Sequence, residues 1–449
     1  MGGDIVLIML GVLIVLILLG VHIGVALALC SGVGVYIMFR GNTEAALSIM
    51  SNTAYEAIRK DVFAVIPLFV LMGDFVWRSG AAGDLYRICD RTLRRLPGRL
   101  AIATIAGNTV FAAVTGVSIA SAAAFSRIAY PEMMKLGYKQ SFALGAVAGS
   151  ACLGMLIPPS VLLIVWAILT EMSVGALFVA GIIPGMVLAL LFSAYVIVAA
   201  KINPNIAPAY DQPMTEPTSA EKRSERIGGL GILALIMVVI GGIWLGWFTP
   251  TEAAAFGAIC ALVIGIIKGM RTDDIIQSLY QAGRTTAPIM FLLIAAQMYS
   301  RLLALGGGVN YIQGIFIASQ LSPFMLILLM AFIWLILGML IDSISIILLT
   351  VPIFAPLAVS MGYDPVAFAI FGILIIEAGL LSPPFGLLVY TVRGSVPDPT
   401  ATLKQIFIGS APYFILILVA AFLVLAFPIL ATLLPKFIIC FIDIQMQFL

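Results

Sequence analysis

Long apolar runs separated by short polar segments occupy almost the whole chain. About 20 consecutive apolar residues cross the hydrocarbon core of a bilayer as a helix, and the pattern predicts ten such spans. They lie at about 4–20, 22–39, 62–78, 140–170, 175–200, 229–247, 251–268, 286–304, 365–392 and 406–432. The pattern therefore predicts an all-α integral membrane protein.

Two further apolar segments are too long for one membrane span, and divided into two spans each half would be near the lower length limit. The first runs from about 100 to 135 and is interrupted at Thr115-Gly116; the second runs from about 323 to 360 and is interrupted near Asp342 to Ser345. We interpret each as a re-entrant hairpin that enters the membrane and returns to the same side. The interruptions are then the hairpin tips.

One string of small residues and prolines occurs twice. Its first copy is Ser118, Pro131, Gly137-Tyr138, Gly154 and Pro158-Pro159, and its second is Ser343, Pro356, Gly362-Tyr363, Gly379 and Pro383-Pro384. Each member of the second copy lies 225 residues after its counterpart, as in 343 − 118. Gly and Pro inside a membrane helix free backbone groups that only a protein-lined or wet cavity satisfies. Matched, interrupted segments of this kind point to the binding site of a secondary transporter.

Basic residues set the predicted orientation, because cytoplasmic loops of membrane proteins carry an excess of Lys and Arg. Five arginines lie between 87 and 99, so this arm is predicted to be cytoplasmic, as is the polar linker at 201–228. The first half then crosses the membrane five times, which inverts the second half and places the N-terminus outside. Residues 1–200 and 229–435 are predicted to be the two inverted repeats, followed by an apolar tail at 436–449.

Composition excludes several classes of protein. The chain is 62% hydrophobic and 10% charged, whereas soluble domains are roughly 45–50% apolar and about 25% charged. A net charge of +2 without a basic domain argues against a nucleic-acid partner. His22 is the only histidine and the five cysteines have no metal-site spacing, so an intramembrane enzyme is disfavoured. A channel stays open as an alternative, since duplicated hairpins also occur in channels.

Six strings resemble one family. GNTVFAAVTGVSIASAAAF, YPEMMKLGY and GMLIPPS in the first half, with FTPTEAAA, GMLIDSISIILLTVPIFAP and EAGLLSPPFG in the second, are similar to the DctM-like large membrane subunit of TRAP (tripartite ATP-independent periplasmic) transporters. The resemblance covers about residues 5 to 432. The first tip departs from the family, reading Thr115-Gly116-Val117-Ser118 in place of a Ser-Gly-Ser-Ser-like sequence.

The resemblance implies sodium-coupled uptake of an organic acid, such as a C4-dicarboxylate or sialic acid, across the bacterial inner membrane. It implies a periplasmic binding protein and a small four-helix membrane subunit as partners, and sodium ions, without another cofactor, as coupling ions. It also implies an elevator motion, in which the hairpins and interrupted helices move against a scaffold. In such a membrane the N-terminus, placed outside by the charge pattern, would be periplasmic. A single-component sodium-coupled carboxylate transporter of similar architecture is the alternative.

Hard oxygen ligands suit sodium, and helix N-termini that face a cavity favour a carboxylate. The predicted sodium ligands are Gly116, Ser118, Gly154, Pro158, Asp342, Ser343, Ser345, Gly379 and Pro383. The predicted substrate contacts are Thr115, Ser160, Ser382 and Arg127, with Glu377 as a secondary candidate.

Each of these candidates also has a structural explanation. Small residues let helices pack closely, and serine or threonine hydroxyls bond back to their own helix. Asp342 could cap a hairpin helix, Arg127 could extend toward the cytoplasmic surface, and Glu377 could pair with the arm or the scaffold. The sequence leaves both explanations open.

Overall fold

The computed structural model describes residues 2–93, 95–208, 218–318 and 320–437. Within these ranges the chain is helical and has no β-strand. The helices of the first half are α1 Gly2–Leu18, α2 Ile23–Met38, α3 Thr43–Arg59, α4 Val65–Arg78, α5 Ala81–Thr92, α6 Arg99–Thr115, α7 Ser118–Lys135, α8 Gln140–Ala151, α9 Val161–Thr170 and α10 Val174–Ile202. Those of the second half are α11 Ser219–Trp244, α12 Pro250–Ile267, α13 Thr272–Leu305, α14 Gly308–Ala318, α15 Pro323–Leu340, α16 Ser343–Ser360, α17 Pro365–Gly379, α18 Leu387–Ser395 and α19 Leu403–Ala426.

Each predicted hairpin consists of two packed helices joined by a two-residue break. Gly116 and Val117 separate α6 from α7, and Ile341 and Asp342 separate α15 from α16. α16 begins and ends 225 residues after α7 begins and ends, at 343 against 118 and at 360 against 135. The constant offset of the sequence motif is therefore also the offset of these helix ends.

The predicted spans at 140–170 and 365–392 are both interrupted, as the Gly and Pro motifs indicated. α8 leads into a short 3₁₀ segment, Cys152–Met155, and helical structure resumes in α9; α17 ends at Gly379 and α18 resumes at Leu387. A proline pair lies in each gap, and the peptide bond between the two prolines is cis in both. Proline has no backbone N–H to donate and clashes with the preceding turn, so neither helix can continue through the pair.

The two repeats exchange packing partners. The second helix of each hairpin packs against the helix that follows the break in the other repeat, α7 against α18 and α16 against α9. The first hairpin helices pack within their own repeats, α6 against α8 and α15 against α17. Buried aromatic rings fill the junction, with Trp166 and Trp334 at a centroid distance of 6.1 Å. This exchange brings both tips and both breaks into one core.

Ion pairs join the two segments that were predicted to be cytoplasmic to each other and to residue 268. Arg87 and Arg91 of α5 bind Glu225 near the start of α11, with Arg91 Nη1 2.5 Å from Glu225 Oε2. The buried Asp84 carboxylate also contacts Lys268, which follows α12. Contacts between the arm, the linker end and residue 268 support their placement on one side of the membrane. Arg94, another arginine of the arm, lies outside the described residues.

Several boundaries differ from the sequence prediction. Residues 43–59, assigned to no span, form α3, whose start is capped by Asn42. The predicted linker at 201–228 is helical from Ser219, and the predicted span at 286–304 is part of the longer α13. Charged residues make these helices too polar for a span-based prediction. Most of the tail, 438–449, lies outside the described residues.

Seven helices of the described chain are long and apolar enough to cross a membrane, or eight when the bent pair of residues 61–78 and α5 is counted as one span. α6, α8 and α17 are shorter apolar helices, as are α1 and α2, whereas both helices of the second hairpin, α15 and α16, are among the seven. The count of ten spans and the inversion of the second half stay predictions.

Single-cysteine labelling tests the orientation. We expect cysteines at Thr92 and Ser219 to react only with reagents that reach the cytoplasm, and a cysteine at Gly307 to be labelled from outside. Thr92 and Ser219 are exposed in the structure, so burial does not prevent labelling at these two positions. Labelling of Thr92 and Gly307 from the same side would contradict the inverted arrangement.

Candidate functional site

The first hairpin tip lies directly on the first helix break. Gly116 ends α6 with φ +63°, and a Cβ at this position would be only 2.3 Å from the carbonyl oxygen of Pro159. The Val161 amide donates a hydrogen bond to the Gly116 carbonyl at 3.2 Å. Across the same contact, a Cβ on Gly154 would be 3.0 Å from the Ser118 nitrogen. Glycine is therefore required for this approach of one backbone to the other.

The second tip contacts the helix before its break. The Ser343 hydroxyl donates a 2.9 Å hydrogen bond to Glu377 Oε1. Gly379 lies against Gly338 of α15, where a Cβ on Gly379 would be 2.8 Å from the Gly338 Cα. The second helix break also differs from the first in its exposure, because Pro383 is exposed whereas its counterpart Pro158 is buried. The two tips are thus equivalent in sequence but not in their surroundings.

Three candidate hydroxyls bond to their own backbone. Thr115 donates to the Phe111 carbonyl at 3.0 Å, Ser160 to the Met155 carbonyl at 2.5 Å, and Ser382 to the Gly379 carbonyl at 2.6 Å. The Ser160 oxygen also accepts the Leu163 amide, so it caps α9. Local bonding accounts for these hydroxyls in this structure. Their contact with a substrate stays a prediction.

Asp342 forms the N-cap of α16. Its Oδ1 accepts the Ser345 amide at 3.0 Å, and its Oδ2 accepts the Ser345 hydroxyl at 2.5 Å. These bonds satisfy donors that the first turn of a helix leaves unpaired. Both carboxylate oxygens are therefore used by the start of α16, and sodium binding by Asp342 stays a prediction.

Ser118 and Glu377 differ from the other candidates because each has a buried polar atom without a hydrogen-bond partner among the described residues. The Ser118 hydroxyl is fully buried and lies close to the Glu377 carboxyl, but it makes no well-formed hydrogen bond with a described residue. Glu377 is 2% exposed, and its Oε2 has no hydrogen-bond partner there. Buried polar atoms without partners are uncommon and need an explanation, such as an ion or water that completes the site.

Sequence reasoning missed Asn108 and Ser150. Asn108 lies fully buried on α6, where its Nδ2 donates to Ser150 Oγ of α8 at 2.6 Å. The Asn108 Oδ1 has no hydrogen-bond partner among the described residues. The available signal was an amide in the middle of a hairpin helix, since polar residues inside the membrane are costly and usually functional.

Arg127 is not part of this cluster. It is exposed on α7, whereas the residues at the tip are buried. Its placement agrees with a side chain that extends toward a surface, and its contact with a substrate stays a prediction.

A polar network fixes the far end of the first hairpin. The Tyr130 hydroxyl of α7 donates to Asp398 Oδ2 at 2.5 Å, and Gln140 Nε2 donates to the same oxygen at 3.1 Å. Asp398 lies in the loop after α18, where hydrogen bonds from Thr400, then Tyr130, lower the pKa of its carboxyl to about 2. The Asp398 carboxylate thus stays charged at neutral pH and ties α7 to the second repeat.

Comparison with known proteins agrees with this architecture. Residues 10–430 match the family model described as "Tripartite ATP-independent periplasmic transporter, DctM component". The chain is 31% identical to the C4-dicarboxylate TRAP transporter large permease protein DctM of Pseudomonas aeruginosa, over 91% of this chain and 93% of that protein. It is 30% identical to the ectoine/5-hydroxyectoine TRAP transporter large permease protein UehC of Ruegeria pomeroyi, over 93% and 96%.

A solved structure shows the same fold at much lower sequence identity. The YdaH transporter of Alcanivorax borkumensis aligns with a TM-score of 0.58 and 14% identity, covering 88% of this chain and 89% of that one. The fold is therefore that of a helical membrane transporter. Together with the family match over nearly the whole length, this shows that the chain belongs to the DctM component family of the tripartite ATP-independent periplasmic transporters.

Proposed function

We propose that this permease subunit carries out sodium-coupled uptake of an organic acid, together with a small four-helix membrane subunit and a periplasmic binding protein. The duplicated contact between tip and helix carries the proposal. Gly116 and Ser118 lie on the first break, and Ser343 bonds to Glu377 beside the second. This arrangement places the hydroxyl oxygens of Ser118 and Ser343 and the carboxyl oxygens of Glu377 in a buried core.

Two sodium sites follow from the duplication. The first would use Gly116 and Ser118 with the break at 154–160, and the second would use residues 342–345 with the break at 379–384. Interrupted helices expose carbonyl oxygens that can coordinate sodium. Hydroxyl and carboxylate oxygens complete a ligand set of the kind that a hard cation prefers.

The proposed substrate carries a carboxylate. The N-termini of α7 and α16 begin at the two tips, and the positive end of a helix dipole favours an anionic group. The Pseudomonas and Ruegeria relatives are named for C4-dicarboxylates and for ectoines, all of which contain a carboxylate. C4-dicarboxylates therefore head the list for testing, followed by sialic acid, which the sequence resemblance also implies.

The proposed motion is an elevator in the bacterial inner membrane, with the N-terminus in the periplasm. α6–α9 and α15–α18 would move together, because α7 packs on α18 and α16 packs on α9. The exchange of partners makes it difficult to move one hairpin without the other. α4 packs on α12 and α13, which we assign to the scaffold.

Reconstitution tests the partnership. We expect the isolated subunit in proteoliposomes to give little uptake. Its sequence is mostly apolar, and its polar segments are too short to form a soluble domain that captures substrate. Adding the small subunit, the binding protein and an inward sodium gradient is expected to restore uptake of a labelled acid. Robust uptake by the isolated chain would support a single-component transporter, and flux that neither saturates nor depends on sodium would support a channel.

A further inference from the structure

The ends of three helices enclose a cavity that lies apart from the proposed transport site. It measures about 580 Å³ and is bounded by the start of α1, the end of α2 and the end of α13. All three helix ends are predicted to lie outside, and none belongs to a hairpin or an interrupted helix. Asp4 of α1 and Arg40, which follows α2, line the cavity with opposite charges. Its other walls are apolar and consist of Ile5, Ile37, Met38, Phe39 and Leu305.

The two charged side chains lie on different walls and do not pair with each other. The Arg40 guanidinium is exposed and makes no ion pair or hydrogen bond with a described residue. The turn that carries Asp4 is fixed by α14, because the Tyr311 hydroxyl lies 3.5 Å from Asp4 Oδ1. A Cβ on the neighbouring Gly3 would be only 2.5 Å from Tyr311 Cδ2. Two opposite charges held apart in one cavity match a ligand that is itself zwitterionic.

An apolar surface continues from the cavity along α1 and α2. Ile8 and Val12 of α1 and Val33 of α2 are between 41 and 60% exposed. Gly11 of α1 and Gly32 of α2, each about two turns from the cavity, have no atom within 4 Å of an added Cβ. The surface is therefore both apolar and unfilled at the depth where the tails of a membrane lipid would lie.

We propose that this cavity binds one phospholipid whose headgroup carries a phosphate and a primary ammonium, as in phosphatidylethanolamine. The planar guanidinium of Arg40 would bind the phosphate, since its fork of N–H donors matches phosphate oxygens. The Asp4 carboxylate would accept hydrogen bonds from the ammonium, which has three donors. The bound headgroup would join the start of α1 to the end of α2.

The two charged contacts also set the selectivity. The quaternary ammonium of phosphatidylcholine has no N–H to donate to Asp4, and phosphatidylglycerol has no cation at all. A soluble phosphate ester with an amine could satisfy both charges, but it would leave the apolar walls and the surface of α1 and α2 without a partner. The cavity therefore favours a lipid over a soluble ligand.

Native mass spectrometry of the purified full-length chain with its small subunit tests this site. The complex is stripped of lipid in detergent, and each lipid is titrated in buffer without sodium or substrate. We expect the parent protein to bind phosphatidylethanolamine roughly tenfold more tightly than phosphatidylcholine or phosphatidylglycerol, the effect of a hydrogen bond to a charged group. Arg40→Gln should weaken the binding of all three lipids. Asp4→Asn should weaken phosphatidylethanolamine binding and leave phosphatidylglycerol binding no weaker.

Arg59→Gln and Glu44→Gln are the matched controls. Both residues are exposed and neither lines the cavity, and Glu44 lies in the first turn of α3 as Asp4 does in that of α1. We expect both controls to bind phosphatidylethanolamine with the parental affinity. A loss in the controls equal to that in the cavity variants would overturn the site, because general surface charge would then explain the binding.

Three further outcomes decide the inference. Equal affinity of the parent protein for the three lipids would overturn it, as would parental phosphatidylethanolamine binding in Arg40→Gln. Displacement of the lipid by soluble phosphoethanolamine at equal concentration would assign the cavity to a soluble ligand and overturn the lipid. If Arg40→Gln is not monodisperse, Arg40→Lys replaces it: it keeps the charge but not the fork, and we expect an affinity weaker than the parental one. Because no sample contains sodium or substrate, none of these outcomes depends on the proposed transport.

Discussion

Replacing Gly116 with alanine is expected to reduce sodium-driven uptake roughly tenfold or more and to lower the thermal stability of the subunit. The new Cβ would lie 2.3 Å from the Pro159 carbonyl oxygen, so the tip or the break must shift. Overpacking of this kind costs about 1–3 kcal/mol, and a left-handed alanine adds about 1–2 kcal/mol. Each 1.4 kcal/mol is a factor of ten in an equilibrium constant. Initial uptake rates and unfolding temperatures of the purified protein measure both effects.

Gly307→Ala separates the two causes. Gly307 has the same φ of +63° as Gly116, but nothing lies within 4 Å of its added Cβ. This variant therefore carries the backbone strain without the collision, and we expect a small loss of stability with near-parental uptake. Equal effects of the two substitutions would show that the contact of the first tip with the first break has no role in transport.

Ser118→Ala and Ser343→Ala are each expected to raise the sodium concentration for half-maximal uptake by roughly five- to 150-fold. That range corresponds to about 1–3 kcal/mol for the loss of one polar contact. Their effects on stability should differ. Ser118 makes no hydrogen bond with a described residue, so removing its hydroxyl should leave folding intact, whereas Ser343→Ala breaks the bond to Glu377. Sodium titrations of uptake, set beside protein yield and unfolding temperature, distinguish the two effects.

Ser126→Ala is the matched control for Ser118→Ala. Ser126 also lies on α7, is fully buried and has a hydroxyl without a hydrogen-bond partner among the described residues, but it is two turns from the tip. We expect its sodium curve to match that of the parent protein. If the alanine variants of Ser118 and Ser343 also transport with the parental sodium curve, these serines are helix-packing residues.

The tips and breaks could be placed from sequence because they depend on local stereochemistry. The first tip was predicted at residues 115–118, and α6 and α7 are separated there by Gly116 and Val117. Gly116 adopts a left-handed conformation that other residues avoid, and the proline pairs cannot donate backbone hydrogen bonds. α3 and the early start of α11 were not predicted, because charged helices at the ends of spans lack the long apolar run on which the prediction relied.

Apolar length and the stereochemistry of Gly and Pro are properties of short segments, and by themselves they determined an all-helical membrane protein with two hairpins and two interrupted helices. Only the tertiary structure decided which hydrogen-bond partners the candidate polar side chains have. It assigned Thr115, Ser160 and Ser382 to local backbone bonds and left the Ser118 hydroxyl without a well-formed hydrogen bond to the part of the chain that is described. Glu377 was only a secondary candidate in the sequence, but the structure places it in contact with Ser343 of the second tip and with Cys152 beside the first break. Those contacts join residues 34 and 225 positions apart, and they arise from packing across the two repeats, which no local pattern along the chain encodes.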